Sequence, residues 1–410
     1  MAPRYEDDEE YDYQRPRKKS SSNGKRRPDD EVRRSSGSGK RPSGSSAGKS
    51  SSGSKKGTGR KMSQKARAKK KRRRILLFIL EIVVLVIMVL VLWTVTKTEK
   101  VGKLDIPEDE IIVNEGVEDI EVLKGYWNIA LFGVDSTTGA LTKNTRSDTI
   151  MVASINQDTK EVKLVSIYRD SFLNLGNDTY NKCNAAYAKG GPKQAMNMLN
   201  QNLDLNITDF VTIGFEGLAD TIDSLGGVEI EVRSDEITHL NNYQKCIAED
   251  LKRTYTPVTE TGVQTLDGLQ ATGYCRIRYT AGDDFKRAER QRTVLKAVME
   301  KAKGASVSQL TEIANSVFDE VYTSFDISEI VTLLGEVSSY SIVGDDGFPQ
   351  ADMRWVGSVG SKGSCVVPTD LEGNVTWLHG FLFGESDYVP STQVKEYSEK
   401  IKSETGSYVK

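Results

Sequence analysis

Residues 127–170 read WNIALFGVDSTTGALTKNTRSDTIMVASINQDTKEVKLVSIYRD, and this stretch decides the fold. Trp127 to Val134 is an apolar run of strand length, closed by Asp135. A polar loop with Ser136, Thr137, Thr138 and Gly139 follows. Asp148 then opens a second strand, Thr149 to Ile155, and the turn Asn156 to Lys160 reverses the chain. A third strand, Val162 to Ile167, ends at Arg169 and Asp170. Apolar runs of this length bounded by turn residues predict strands.

Short connections favour an antiparallel meander. Strand one then leaves the sheet at Asp135 and strand two enters at Asp148, both at the same end. The turn at 156–160 lies at the other end, so strand three brings Arg169 and Asp170 back to the two aspartates. Topology alone gathers Asp135, Arg146, Asp148, Arg169 and Asp170 at one edge. Like charges so close repel unless something compensates. Two carboxylates, Asp135 and Asp148, suit Mg²⁺, which takes one or two carboxylates plus phosphate oxygens. The neighbouring arginines suit phosphate, which guanidinium grips through two N–H groups. A solvated loop edge with surface ion pairs accounts equally well for the spacing taken alone.

A second basic cluster follows in Tyr274-Cys275-Arg276-Ile277-Arg278-Tyr279. Read as extended chain, it puts Arg276 and Arg278 on one face. The next segment, Asp284 to Ala302, has helical periodicity, with Ala288, Leu295, Val298, Met299 and Ala302 as its buried stripe. Arg287, Arg290 and Gln291 share another face near its start, where a helix N-terminus favours anions. Between the clusters, helices are predicted over Pro192–Leu203 and Glu216–Leu225, and strands over Asp209–Gly214 and Val228–Val232. The fold class is therefore α/β, a mixed central sheet covered by helices.

Charge is distributed unevenly. The 410 residues carry a net charge of −2, but residues 1–74 hold 25 Lys+Arg against 9 Asp+Glu, while residues 97–410 hold 31 against 48. The basic part, rich in Ser and Gly, has too little apolar surface to fold and is expected to be disordered. Residues 75–95 (ILLFILEIVVLVIMVLVLWTV) are long enough to cross a bilayer as a helix of roughly 30 Å. Lys65 to Arg74 (KARAKKKRRR) abuts that run, which places the N-terminus in the cytoplasm by the positive-inside rule. Glu81 lies near that end of the span, where it snorkels or protonates. A cleavable signal peptide fits less well, because the run ends without a small-residue site. The expected organisation is a cytoplasmic tail (1–74), a transmembrane helix (75–95), an extracellular stalk (96–125), one catalytic domain (126–385) and a polar C-terminal tail (386–410). The tail next to the span is read as a contact for anionic lipid, and no nucleic acid partner is expected.

Other chemistries are poorly supported. His239 and His379 are the only histidines. Ser136, Ser147 and Ser166 have no histidine nearby in sequence, and the pairs Gly190-Gly191 and Gly226-Gly227 do not form a P-loop. Cys183, Cys246, Cys275 and Cys365 permit two disulfides or four free thiols, and no C-x-x-C spacing suggests zinc.

Taken together, NIALFGVDS, RSDTIMVASIN, LVSIYRDS, KCNAAYAKGG, DSLGGVEIEV, LDGLQATGYCRIRY and DFKRAERQR resemble the LytR-CpsA-Psr family in order and spacing. The resemblance implies a bacterial membrane-anchored phosphotransferase. It would move a teichoic acid or capsular polysaccharide from an undecaprenyl-pyrophosphate carrier to peptidoglycan, with the lipid tail in an apolar pocket between sheet and helices. It assigns Mg²⁺ to Asp135 and Asp148. The pyrophosphate falls to Arg146, Arg169, Arg276, Arg278, Arg287, Arg290 and Gln291. Asn184 and Tyr187 fall in an N-A-A-Y motif. Arg169, Asp148 and Asp284 are the expected catalytic residues, with Asp148 or Asp284 as proton acceptor. The family commonly has Pro at the position of Tyr168 and a small residue at that of Lys286. A non-catalytic regulator that binds polyprenyl phosphate, and a simple pyrophosphatase, are the rival readings.

Overall fold

A computed structural model describes residues 102–135, 141–142, 145–278, 280 and 283–410. The basic tail, the apolar run 75–95 and the loop 136–140 lie outside the described residues. Among the described residues no helix is long and apolar enough to cross a membrane.

The centre is a seven-stranded sheet built from β1 (Gly102–Lys103), β2 (Tyr126–Val134), β3 (Ser147–Asn156), β4 (Glu161–Ile167), β5 (Asp209–Ile213), β6 (Val321–Thr323) and β7 (Ser341–Phe348). Their order across the sheet is β1-β6-β5-β2-β3-β4-β7. The expected meander is present: β2 pairs antiparallel with β3, and β3 antiparallel with β4. Strands β5 and β7 join it in parallel, beside β2 and β4 respectively, so the sheet is mixed.

The helices are α1 (Asn184–Leu203), α2 (Phe215–Ser224), α3 (Ile237–Leu251), α4 (Gly268–Cys275), α5 (Asp283–Lys303), α6 (Val307–Val317), α7 (Ile327–Gly335), α8 (Leu371–Phe383) and α9 (Thr392–Thr405). They cover both sheet faces, and strand alternation sorts the side chains between them. Ile150 and Val152 of β3, and Val165 and Ile167 of β4, enter a main core with Met196 and Leu199 of α1 and Leu378 of α8. Met151, Ala153, Val162 and Leu164 face the other way, toward Leu295 and Met299 of α5 and Leu333 of α7. Burial on both faces is why these strands read as nearly continuous apolar runs.

Three sequence expectations change, and one left open is settled. Tyr274, Cys275 and Arg276 are not extended: Asp267 caps α4 through its side chain and the Gln270 amide, a reciprocal capping box that starts a helix running to Cys275, with Arg276 as its αR cap. The described part of the expected stalk, residues 102–125, is packed onto the domain: Val117 and Leu123 are buried in the main core and Lys103 and its neighbour pair with β6. The polar tail from 386 is instead a loop and α9, whose Val394, Tyr397 and Ile401 are buried in that core. All four cysteines are free thiols, three of them buried.

Candidate active site

Sheet register places the charges. Gly133 pairs with Thr149 and Val134 with Ser147, so the ladder skips Asp148 at a bulge. Bulges re-aim a side chain, and here Asp148 meets the end of β4. Arg169 Nη1 donates to Asp148 Oδ1 at 2.6 Å, its Nε lies 3.5 Å from Asp170 Oδ2, and its Nη2 lies 3.9 Å from Asp284 Oδ2. From the C-terminal side of α4, Arg278 Nη2 comes within 3.8 Å of Asp148 Oδ2 and its Nε within 3.5 Å of Asp284 Oδ1. From the first turns of α5, Arg287 Nη1 reaches Asp284 Oδ1 at 3.2 Å and Nη2 donates to the Asp148 carbonyl at 3.3 Å. Three arginines from three separated segments thus interlock with two aspartates.

The backbone of Arg169 is pinned from behind by the start of α1. The Asn184 amide donates to the Arg169 carbonyl at 3.1 Å, and the Cys183 thiol donates to the carbonyls of Tyr168 and Arg169, each at 3.2 Å. Tyr187, fully buried, donates to the Leu141 carbonyl at 2.5 Å and accepts from the Thr212 hydroxyl at 2.9 Å. These N-A-A-Y residues shape the site rather than line it.

Electrostatics follow from burial and pairing. Burial alone lifts a carboxyl pKa, yet Arg169, Arg287 and Arg278 outweigh it and hold Asp148 below its ordinary range. Asp284 is lowered in the same way, by Arg287, Arg169 and Arg278 against burial. Arg287 pays for the crowding: burial first, then Arg169 and Arg278, bring it down to about 10. The Nε atoms of Arg169 and Arg287 and Oδ1 of Asp284 are buried without a hydrogen-bond partner. Unfilled buried donors on cationic groups suit an anion with several oxygens.

Asp135 behaves differently. Burial raises its pKa, Asp148 and Asp250 add repulsion, and Arg276 and Arg278 offset this only in part. A carboxylate left under-compensated beside a second one fits a divalent cation, and the donor set suits Mg²⁺. Arg276 rests on the rings of Phe215 and Tyr243, 4.4 and 5.4 Å from their centroids. Gln291 lines the cleft formed by Asp148, Arg169, Asp284 and Arg287, which encloses about 20 Å³.

Of the other expected anion contacts, Arg146 is unpaired among the described residues and Arg290 is committed to other partners. Arg146 is exposed and joins no ion pair among the described residues. Arg290 turns inward from the cleft and is buried, its Nε 2.9 Å from Glu236 Oε1, with Nη1 on the Ile277 carbonyl at 3.1 Å and Nη2 on Thr280 Oγ1 at 2.7 Å. It shares a helix with Arg287 and Gln291, but the packing of the segment 277–280 claims it first. Sequence reasoning missed Arg292, whose Nη1 donates to Ser166 Oγ at 2.8 Å on the cleft wall and whose Nε pairs with Asp345 at 2.9 Å. Its partner lies on β7, a strand far along the chain.

At the end of the sheet bearing the 156–160 turn is a larger cavity, about 380 Å³, lined by Trp127, Ile155, Leu333 and Tyr340 with a polar rim. Elsewhere, Glu216, Asp220 and Glu320 converge closely enough to hold a metal, although Arg253 already pairs with Glu216 at 3.3 Å and with Asp220 at 3.0 Å.

The domain is a mixed α/β sheet covered by helices, with arginines and aspartates clustered at one edge of the sheet. The profile of the LytR_cpsA_psr family matches residues 94–359, and the chain belongs to that family. Among its relatives, Biofilm regulatory protein A of Streptococcus mutans is 29% identical over 306 residues, covering 66% of this chain and 73% of that protein. The polyisoprenyl-teichoic acid–peptidoglycan teichoic acid transferase TagU of Enterococcus faecalis is 32% identical over 212 residues, 50% of this chain and 65% of its own length. The fold also matches the crystal structures of protein gbs0355 from Streptococcus agalactiae (TM-score 0.54, 25% identity, 68% of this chain and 92% of that one) and of Bacillus subtilis TagV (TM-score 0.51, 25% identity, 65% and 99%).

Proposed function

We propose that this chain is a membrane-anchored phosphotransferase that takes an anionic glycopolymer, a teichoic acid or capsular polysaccharide, from an undecaprenyl-pyrophosphate carrier and joins it to peptidoglycan. The observation that carries this reading is the convergence of Arg169, Arg278 and Arg287 on Asp148 and Asp284, with the buried Nε of Arg287 left for an incoming anion. The relatives named as teichoic acid transferases support the same reaction class. The apolar run 75–95 is the proposed single-pass anchor.

In this mechanism an acceptor hydroxyl on peptidoglycan attacks the phosphorus bonded to the glycopolymer. A new P–O bond forms, the pyrophosphate bridge breaks, and lipid monophosphate leaves. Positioning and charge neutralisation carry most of such a transfer. Arg169, Arg278 and Arg287 exchange part of their pairing with Asp148 and Asp284 for phosphate oxygens, which also opens the closed cleft. Their fixed placement stabilises the charge that develops as the bridge breaks. A carboxylate released from arginine, Asp148 or Asp284, takes the hydroxyl proton. Asp135 and Asp148 would hold Mg²⁺, which neutralises phosphate charge when bound. The cavity lined by Trp127 and Tyr340, beyond the apolar layer between sheet and α5, supports entry of the lipid tail there.

The test uses the purified full chain in liposomes with a short-chain prenyl-pyrophosphate glycan, Mg²⁺ and peptidoglycan fragments. The expected products are a glycan–peptidoglycan phosphodiester and prenyl monophosphate. Release of free phosphorylated glycan at the same rate with or without acceptor would overturn the ligase reading in favour of a pyrophosphatase.

A further inference from the structure

We infer that Arg354, seated against the rings of Phe285 and Tyr168, is a specificity-determining residue that reads negative charge on the glycan carried by the donor, an inference that rests on the phosphotransferase reading above.

Arg354 opens the two-stranded ribbon Arg354–Ser358/Ser364–Pro368, which is remote in sequence from both arginine clusters. The ribbon is fastened to the cleft. Its Val366 amide donates to the Asp170 carbonyl at 2.9 Å, Val366 bridges to Ser171, and Val366 lines the cleft itself. The guanidinium of Arg354 lies 3.9 Å from the Phe285 ring centroid and 5.1 Å from that of Tyr168. The two rings meet edge to face at 4.6 Å, and Arg354 Nη1 donates to the Pro349 carbonyl at 2.7 Å. Tyr168 lines the cleft and precedes Arg169; Phe285 follows Asp284. Arg354 therefore stands one aromatic ring away from the interlocked arginines.

Its charge is handled differently from theirs. Arg169, Arg278 and Arg287 are each paired with carboxylates, whereas among the described residues Arg354 makes no ion pair. It is half-buried on aromatic faces, which hold a cation in one orientation without cancelling its charge. A held, unneutralised guanidinium binds an anion with little further ordering cost. The three inner arginines are placed for the pyrophosphate. The next group along the donor toward the sugar chain is what an arginine one ring further out would meet. A phosphate borne on the glycan matches its unneutralised charge.

The experiment compares the full chain with its Arg354→Gln and Arg354→Lys variants on two synthetic donors. Both are short-chain prenyl-pyrophosphate disaccharides, one bearing a phosphate monoester on the outer sugar and one lacking it. Arg354→Gln is expected to lower kcat/KM at least tenfold for the phosphorylated donor, mainly through KM, and to leave the neutral donor within twofold. Arg354→Lys is expected to fall between, which separates charge recognition from damage to the ribbon. An equal loss on both donors, or no loss on either, overturns the inference while leaving the phosphotransferase reading intact. A wild-type chain that transfers neither donor overturns both.

Discussion

Arg169 and Asp148 sit at the end of β4 and in the bulge that opens β3, and the 2.6 Å contact between them closes the charged edge of the sheet. The pair links two things: the fold of the meander and the chemistry at its rim. Removing either partner therefore has two consequences that can be separated.

Arg169→Ala is expected to lower the transfer rate by about 10² to 10³, the usual loss when one preorganised transition-state donor is removed. Arg169→Lys is expected to recover little, because a point charge cannot span Asp148, Asp170 and Asp284 together. Thermal unfolding isolates the structural part. Arg169→Ala leaves the Asp148 carboxylate under-paired, so the double variant Arg169→Ala/Asp148→Asn should melt higher than Arg169→Ala alone while remaining inactive. A double variant that melts lower would show that the pair does not couple.

Magnesium is expected to raise the melting temperature of the full chain, and the rise should continue to grow with the logarithm of its concentration. Asp135→Asn should abolish that rise, since its under-compensated carboxylate is the proposed ligand. The measurement needs no turnover. A rise that persists undiminished in Asp135→Asn places the ion elsewhere.

The buried pair of Arg290 and Glu236 is expected to be structural. Their side chains are only 3% and 2% exposed, so Arg290→Ala should destabilise the domain by about 3–5 kcal/mol through the stranded carboxylate. Arg290→Met/Glu236→Leu should recover much of that stability in a denaturant titration and keep transfer. Loss of transfer in a fully folded double variant would restore Arg290 to the anion site.

Opposite pH dependences are expected from the acidic groups. Asp148 and Asp284 are held below the ordinary range, so their contribution is present above about pH 4 and is lost as pH falls through their folded pKa. Glu320 runs the other way. Burial, then Asp220 and Glu216, push its carboxyl up from 4.5 to about 7. The folded chain keeps a proton that the unfolded chain has lost, so stability falls as pH rises through that window. Glu320→Gln should raise the melting temperature at pH 8.5 and leave it unchanged at pH 4. Equal effects at both values would remove Glu320 as the source.

The meander was legible because its signals are local: three apolar runs, one five-residue turn and charges at the run ends. The same holds for α5, whose stripe of Ala288, Leu295 and Ala302 has helical spacing. Tyr274–Tyr279 misled because alternation was weighed over six residues, while the start signal, Asp267 with Gln270, lay upstream. The inward turn of Arg290 depends on Glu236, 54 positions away, and the placement of Arg292 on Asp345 of β7. Nothing near either arginine in sequence announces its partner. Val117 and Val394 are isolated apolar residues in polar stretches and Leu123 sits in a short Val-Leu pair, so only tertiary packing reveals that they are buried.

The packing of residues 102–125 sets a mechanical limit. Asn114 donates to Asp204 Oδ1 at 2.7 Å, and Asp204 Oδ2 accepts from the Ser391 amide at 2.7 Å, so the entering chain, the end of α1 and the approach to α9 are buckled together. Only residues 96–101 lie between the apolar run and β1. Six residues reach about 21 Å at full stretch. With the run 75–95 embedded as proposed, the domain works on a short leash: its substrates must come to the bilayer surface, and lengthening those six residues with a flexible insert would change what it can touch without altering the cleft.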